Sequence, residues 1–194
     1  MKPVPELDWI APDLAVWHGF NPEVRCECGS SAVLTAEGWI VFDPIPLAKN
    51  AWAELLSQAK VKAIALTSGN HQRESLALKK ILSAPIFAPE LARGEIEADE
   101  WLKEGDVLAG FSLIGLPGAA PGESAWCDGK HLVVGDALIH FDQLSLLPDK
   151  YCTNPAELRT SVQKLLKPEF QTVLFAHGLP IVSHAREKIA ALLK

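Results

Sequence analysis

The chain has 194 residues, 48% hydrophobic and 22% charged, enough for one domain with a sizeable core and too apolar to stay disordered. Its 24 acidic residues outnumber 18 lysines and arginines, for a formal charge of −6; nucleic acid is excluded as a main partner, because phosphate binding needs a concentrated basic face. No stretch approaches the roughly 20 apolar residues that span a bilayer. Met1 to Trp9 lacks the apolar run of a secretory leader, so the expectation is a cytoplasmic protein with no membrane partner.

In chain order, Asp13 to Phe20 reads as a strand. Ser31 to Thr35 and Trp39 to Asp43 read as a hairpin turning at Ala36-Glu37-Gly38. Helical spacing of apolar residues follows over Leu47 to Ala59, then a short apolar strand, Val61 to Leu66. A helix is expected from about His71 to Leu82, stopped by Pro85, with Pro85 to Ala88 as another strand. Phe111 to Leu116 is a strand that breaks at Pro117-Gly118. Ser124 to Val134 is a hairpin, because Asp128-Gly129 supplies the positive φ angles of a two-residue turn. Asn154-Pro155-Ala156-Glu157 is a helix start, with Asn as the cap, Pro in the first position and Glu three residues after the cap. That helix runs to about Leu166; Thr172 to Ala176 is a buried strand, and Ser183 opens a last helix. The alternation is α/β with mixed sheets. The six tryptophans are scattered among apolar residues and suit core packing. The four cysteines, with Cys26-x-Cys28 too close for a zinc knuckle, read as reduced thiols.

Polar residues at strand ends are where a rigid scaffold presents chemistry to solvent. Thr67-Ser68-Gly69-Asn70-His71-Gln72-Arg73-Glu74 follows one strand and Pro117-Gly118-Ala119-Ala120-Pro121-Gly122 another. Gly135-Asp136 and His177-Gly178-Leu179-Pro180 end two more. Together these resemble the metallo-β-lactamase superfamily, whose pattern runs Thr-His-x-His-x-Asp-His, Pro-Gly-His-x-Pro-Gly, Gly-Asp and Gly-His-Gly. Phe42-Asp43-Pro44 looks like the family's early strand ending in Asp, and the resemblance extends from about Asp13 to Ile181. It implies that residues 1–194 form a single domain, a four-layer αββα sandwich of two mixed sheets with helices outside. A doubly wound three-layer domain is the alternative that the early hairpin counts against.

Carried over residue by residue, the family's metal ligands fall mostly on residues that cannot replace them. The first motif places its His, His, Asp and His on Ser68, Asn70, Gln72 and Arg73, and the next motif places its His on Ala119. Asp136 and His177 remain. His71, one position beyond Asn70, can join them if the turn is one residue longer. Two imidazoles and a carboxylate suffice for one zinc or iron ion. Glu74 lies within one helical turn of His71 and is a candidate fourth ligand or base, or simply an acid that complements the helix dipole. His140, four residues beyond Asp136, is another residue within possible reach.

Two functions follow from different classes. In the first, His71, Asp136 and His177 hold one metal, Asp136 and His177 carry catalysis, and water hydrolyses an ester, thioester or similar bond of a small-molecule substrate. In the second, the chain is an inactive binding or structural module in which Arg73 replaces the metal by pairing with Asp136. Arg73 weighs against metal if it points inward. At ~5 Å and an effective dielectric of ~20, like unit charges repel by roughly 3 kcal/mol.

Overall fold

A computed structural model describes residues 1–194. The first half builds a seven-stranded sheet in chain order: β1 (Asp8–Ala11), β2 (Leu14–Asn21), β3 (Cys26–Thr35), β4 (Gly38–Phe42), β5 (Val61–Ala65), β6 (Ile86–Pro89) and β7 (Glu100–Leu102). The first four strands are antiparallel neighbours, and β4 to β7 run parallel. Helices α1 (Lys49–Gln58) and α2 (Ser75–Leu82) make the crossovers between β4, β5 and β6.

The second sheet has the order β14-β11-β10-β9-β8, formed by β8 (Val107–Leu108), β9 (Phe111–Gly115), β10 (Ser124–Cys127), β11 (His131–Val134) and β14 (Thr172–Phe175). All its pairs are antiparallel except β11 with β14. A small hairpin, β12 (Leu138–His140) and β13 (Leu144–Leu146), follows Asp136. Helices α3 (Pro155–Ser161) and α4 (Ala185–Leu192) pack on this half.

Two-residue alternation within the strands creates four layers. Leu14, Val16, Ile40, Phe42, Ala63 and Ala65 share one cluster with Phe111, Leu113, Trp126, Val133 and Leu174, which is the core between the sheets. Their strand neighbours Ala15, Trp17, Trp39, Val41 and Ile64 face the other way, onto Ala51 and Leu55 of α1 and Leu78 of α2. Leu132, Val134, Val173 and Phe175 likewise face Leu158 of α3 and Ile189 of α4. A strand buried on both faces needs apolar residues at successive positions. That explains the unbroken apolar runs at Trp39 to Phe42 and Val173 to Phe175. Trp17, Trp39 and Trp126 are fully buried, and their indole N–H groups donate to the carbonyls of Ile45, Leu55 and Leu66.

The Asn154 side chain accepts from the Glu157 N–H, as its position before Pro155 requires. The expected helix to Leu166 divides, however, with a 3-10 turn over Val162–Leu166. The last helix begins at Ala185 rather than Ser183, because His184 adopts a left-handed backbone, φ 52°. The helix expected from His71 starts at Ser75, since Arg73 at φ 38° interrupts it.

Candidate functional site

The site forms where the loops after β4, β5, β11 and β14 meet. Asp43 ends β4 and is buried; its Oδ1 accepts the Thr67 N–H at 2.9 Å and its Oδ2 accepts the Thr67 hydroxyl at 2.5 Å. Asp43 Oδ2 also lies 3.0 Å from His71 Nδ1. A carboxylate in that position accepts the hydrogen bond from Nδ1–H and leaves Nε2 as the outward-facing ring nitrogen.

His71 Nε2 faces Asp136 Oδ1 at 3.3 Å but out of line for a hydrogen bond, so this buried nitrogen has no partner. On the opposite wall, His177 Nδ1 donates to the Glu27 carbonyl at 2.9 Å, and His177 Nε2 lies 3.1 Å from the same Asp136 Oδ1. The Asn70 amide donates to Asp136 Oδ2 at 3.0 Å. Two ring nitrogens therefore converge on one carboxylate oxygen, while both Nδ1 atoms are held by outer acceptors. The ligand atoms of His71, Asp136 and His177 lie within 4.8 Å of one another, the one such group in the chain.

The electrostatics match this crowding. Burial works to raise the Asp136 carboxyl, but the charge of His71 and the hydrogen bond from His177 hold it well below the usual carboxylate range. Burial works against a charged His177, yet Asp136 prevails and pushes its pKa up to about 11. His71 is also raised: burial and Arg73 oppose its charge, and Asp43 and Asp136 outweigh them.

Arg73 does not pair with Asp136. Its guanidinium donates to three backbone carbonyls, Gly29 at 2.8 Å, Asp43 at 2.9 Å and Ala176 at 3.3 Å. The reason is local. From the left-handed backbone at Arg73 the side chain reaches the seam between β3 and the ends of β4 and β14. Arg73 is thus a clamp on the strands that carry Asp43 and His177, and the expected Arg73–Asp136 pair is corrected.

Glu74 is also displaced from its expected role. It is the residue before α2, its N–H donates to the Pro44 carbonyl, and it lines a groove between α1 and α2 away from the triad. His140 turns aside as well, its Nδ1 bonded to the Leu179 carbonyl at 2.7 Å. Gln72 bonds Ser75 and Glu97, and Ser68 Oγ accepts the Asn70 N–H.

Three contributors carried no site role in the sequence reading. Thr67 and Asp43 support His71, and Phe42-Asp43-Pro44 at a strand end was their available signal. Cys26 places Sγ 3.4 Å from His177 Nδ1, a contact between residues 151 apart that local sequence cannot announce. Beside the triad opens a cleft of ≈ 510 Å³ that includes Asn70, Asp136 and His177 in its walls.

A two-sheet αββα sandwich with a histidine–carboxylate cluster at the strand ends defines the class. The family model of the metallo-beta-lactamase superfamily matches residues 8–194, and the chain belongs to that superfamily. Among solved structures it is similar to TTHA1623, crystallised in a di-iron-bound form, with 23% identity and a TM-score of 0.68 over 91% of this chain and 98% of that one. A metallo-beta-lactamase from Pontibacter korlensis is 14% identical with a TM-score of 0.72, covering 97% and 98% of the two chains. ETHE1 from Myxococcus xanthus is 16% identical with a TM-score of 0.64, covering 92% and 89%. Curated proteins contain no match to this sequence. At these identities the structural likeness establishes the shared fold and leaves activity to the site.

Proposed function

We propose that the chain is a hydrolase in which His71 Nε2, Asp136 and His177 Nε2 hold one zinc or iron ion, with water cleaving an ester, thioester or similar bond. The observation that carries this reading is the unpartnered, buried Nε2 of His71, aimed at the same carboxylate oxygen as His177 Nε2. An ion of this kind, when bound, lowers the pKa of a coordinated water toward neutrality.

The surrounding residues prepare the three ligands. Asp43 accepts the hydrogen bond from His71 Nδ1–H, fixing the ring and raising its basicity at Nε2. The Glu27 carbonyl does the same for His177. Asn70 occupies Asp136 Oδ2, so Oδ1 is the oxygen that faces both rings. The imidazoles must give up their Nε2 protons to ligate, so uptake of the ion releases protons to solvent. TTHA1623 is described with two irons. Here Ser68, Asn70, Gln72, Arg73 and Ala119 stand at family ligand positions, which limits the proposed centre to one.

A second reading rests on the ionic state of the cluster. With both imidazoles protonated, Asp136 is already neutralised, and the chain is then a binding or structural module with no reaction of its own. Native mass spectrometry and metal analysis of untagged protein separate the readings. One equivalent of zinc or iron is expected in the wild type and none in His71→Ala or His177→Ala. A folded wild type that takes up neither ion overturns the hydrolase.

A further inference from the structure

The cleft beside the triad has a chemical character of its own. Val24 and Arg25 stand at the turn between β2 and β3, Ile139 and Phe141 at the β12–β13 hairpin, and Leu147 and Tyr151 in the segment that follows. Val24 is 62% exposed, Phe141 41% and Tyr151 64%. Large apolar side chains left open together around one concavity mark a binding surface. The only charged side chain in the lining outside the triad is Arg25, which makes no ion pair with any carboxylate of the chain. A guanidinium beside an apolar wall and a polar cluster selects for a molecule with a matching anion and an apolar body.

We infer that the cleft takes a carboxylate-bearing amphiphile, an acyl compound whose apolar body lies on Val24, Ile139, Phe141, Leu147 and Tyr151 and whose carboxylate pairs with Arg25. This deepens the hydrolase reading and rests on it for the fate of the molecule, since Asp136 and His177 line the same cleft. Recognition itself depends on the apolar wall and Arg25. It therefore survives removal of any metal.

The probe is sodium decanoate, titrated by calorimetry into full-length protein in excess EDTA, beside butyrate and decanol. Each methylene buried tightens binding about fourfold, so decanoate is expected to bind at least ~100-fold more tightly than butyrate. Decanol is expected to bind about fivefold more weakly than decanoate, the scale of an exposed ion pair. Arg25→Asn, which suits the left-handed backbone at φ 52°, should erase the difference between decanoate and decanol, and Arg25→Lys should restore most of it. Phe141→Ser should weaken both ligands. Absence of decanoate binding, absence of chain-length dependence, or equal affinity for decanol in the wild type overturns the inference. Metal uptake is measured separately, so a protein that binds decanoate but no metal refutes the hydrolase and retains the cleft. One that binds metal but not decanoate refutes the cleft alone.

Discussion

Asp43, Thr67 and His71, supplied by the first sheet, are sealed from solvent and bonded to one another, whereas Asp136 and His177, supplied by the second, stand beside an open cleft. The loop after β5 is where the family's pattern concentrates its ligands. In this chain that loop has become mostly framework: Arg73 clamps three carbonyls, Gln72 ties to Ser75 and Glu97, and only His71 still offers an unpartnered nitrogen. The loops of the second sheet keep Asp136 and His177 and carry Ala119 where the family's pattern has a His. The first sheet here mainly sets position and offers one ring nitrogen, and the second supplies the carboxylate and the other imidazole.

Removing the clamp is the severest test of that division. Arg73→Ala strips a charged donor from the Gly29, Asp43 and Ala176 carbonyls, at an expected cost of ~3–5 kcal/mol in urea unfolding. A loss below ~1 kcal/mol would mean that the first-sheet loop is not framework. The second-sheet side should respond to pH instead. The folded pKa of His177 is raised from 6.5 to about 11, so its contribution is complete below pH 6.5 and is lost as pH rises toward 11. EDTA-treated protein should therefore lose about 1 kcal/mol per pH unit between pH 7 and 9. Asp136, held low, gives the opposite acid limb, with stability lost as pH falls through its depressed range.

Asp43→Asn tests whether the sealed side still serves a metal. It preserves size but removes the charge behind His71, and zinc affinity should fall by about 10–100-fold. Unchanged affinity would break the link between the halves. Asn70→Ala removes the amide on Asp136 Oδ2 and should cost about 0.5–1 kcal/mol in thermal stability. Glu74→Gln should change neither stability, beyond ~0.5 kcal/mol, nor metal uptake, because Glu74 faces the groove between α1 and α2.

The parts legible in the sequence were those governed by local chemistry. Gly129, at φ 88°, turns the chain between β10 and β11, although Asp128 does not share its positive φ and instead accepts the Lys130 and His131 N–H groups through Oδ1; Asn154 caps α3. The segment read as a buried strand from Thr172 is buried at every position over Thr172–Phe175. The convergence of His71, Asp136 and His177 was also legible, through the order of strand-end motifs. Short or irregular pieces were not: the edge strand Asp8–Ala11 and the three-residue strands of the β12–β13 hairpin offer too few positions for a period to emerge. Arg73 escaped because its partners are backbone oxygens, which every residue carries and no sequence distinguishes. Glu74 escaped because the helical register assumed from His71 does not begin until Ser75.

The seam under Arg73 also governs when the site can exist during folding. The Gly29 N–H donates to the Ala176 carbonyl at 2.8 Å, and a side chain at Gly29 would meet the Phe175 carbonyl at 2.6 Å. One strand from early in the chain and the last strand must therefore come together without any local hairpin to guide them. Closing so large a loop costs entropy before any contact repays it. The cluster is consequently a late assembly: a nascent chain lacking β14 has His71 and Asp136 but neither the far imidazole nor the seam that aligns them.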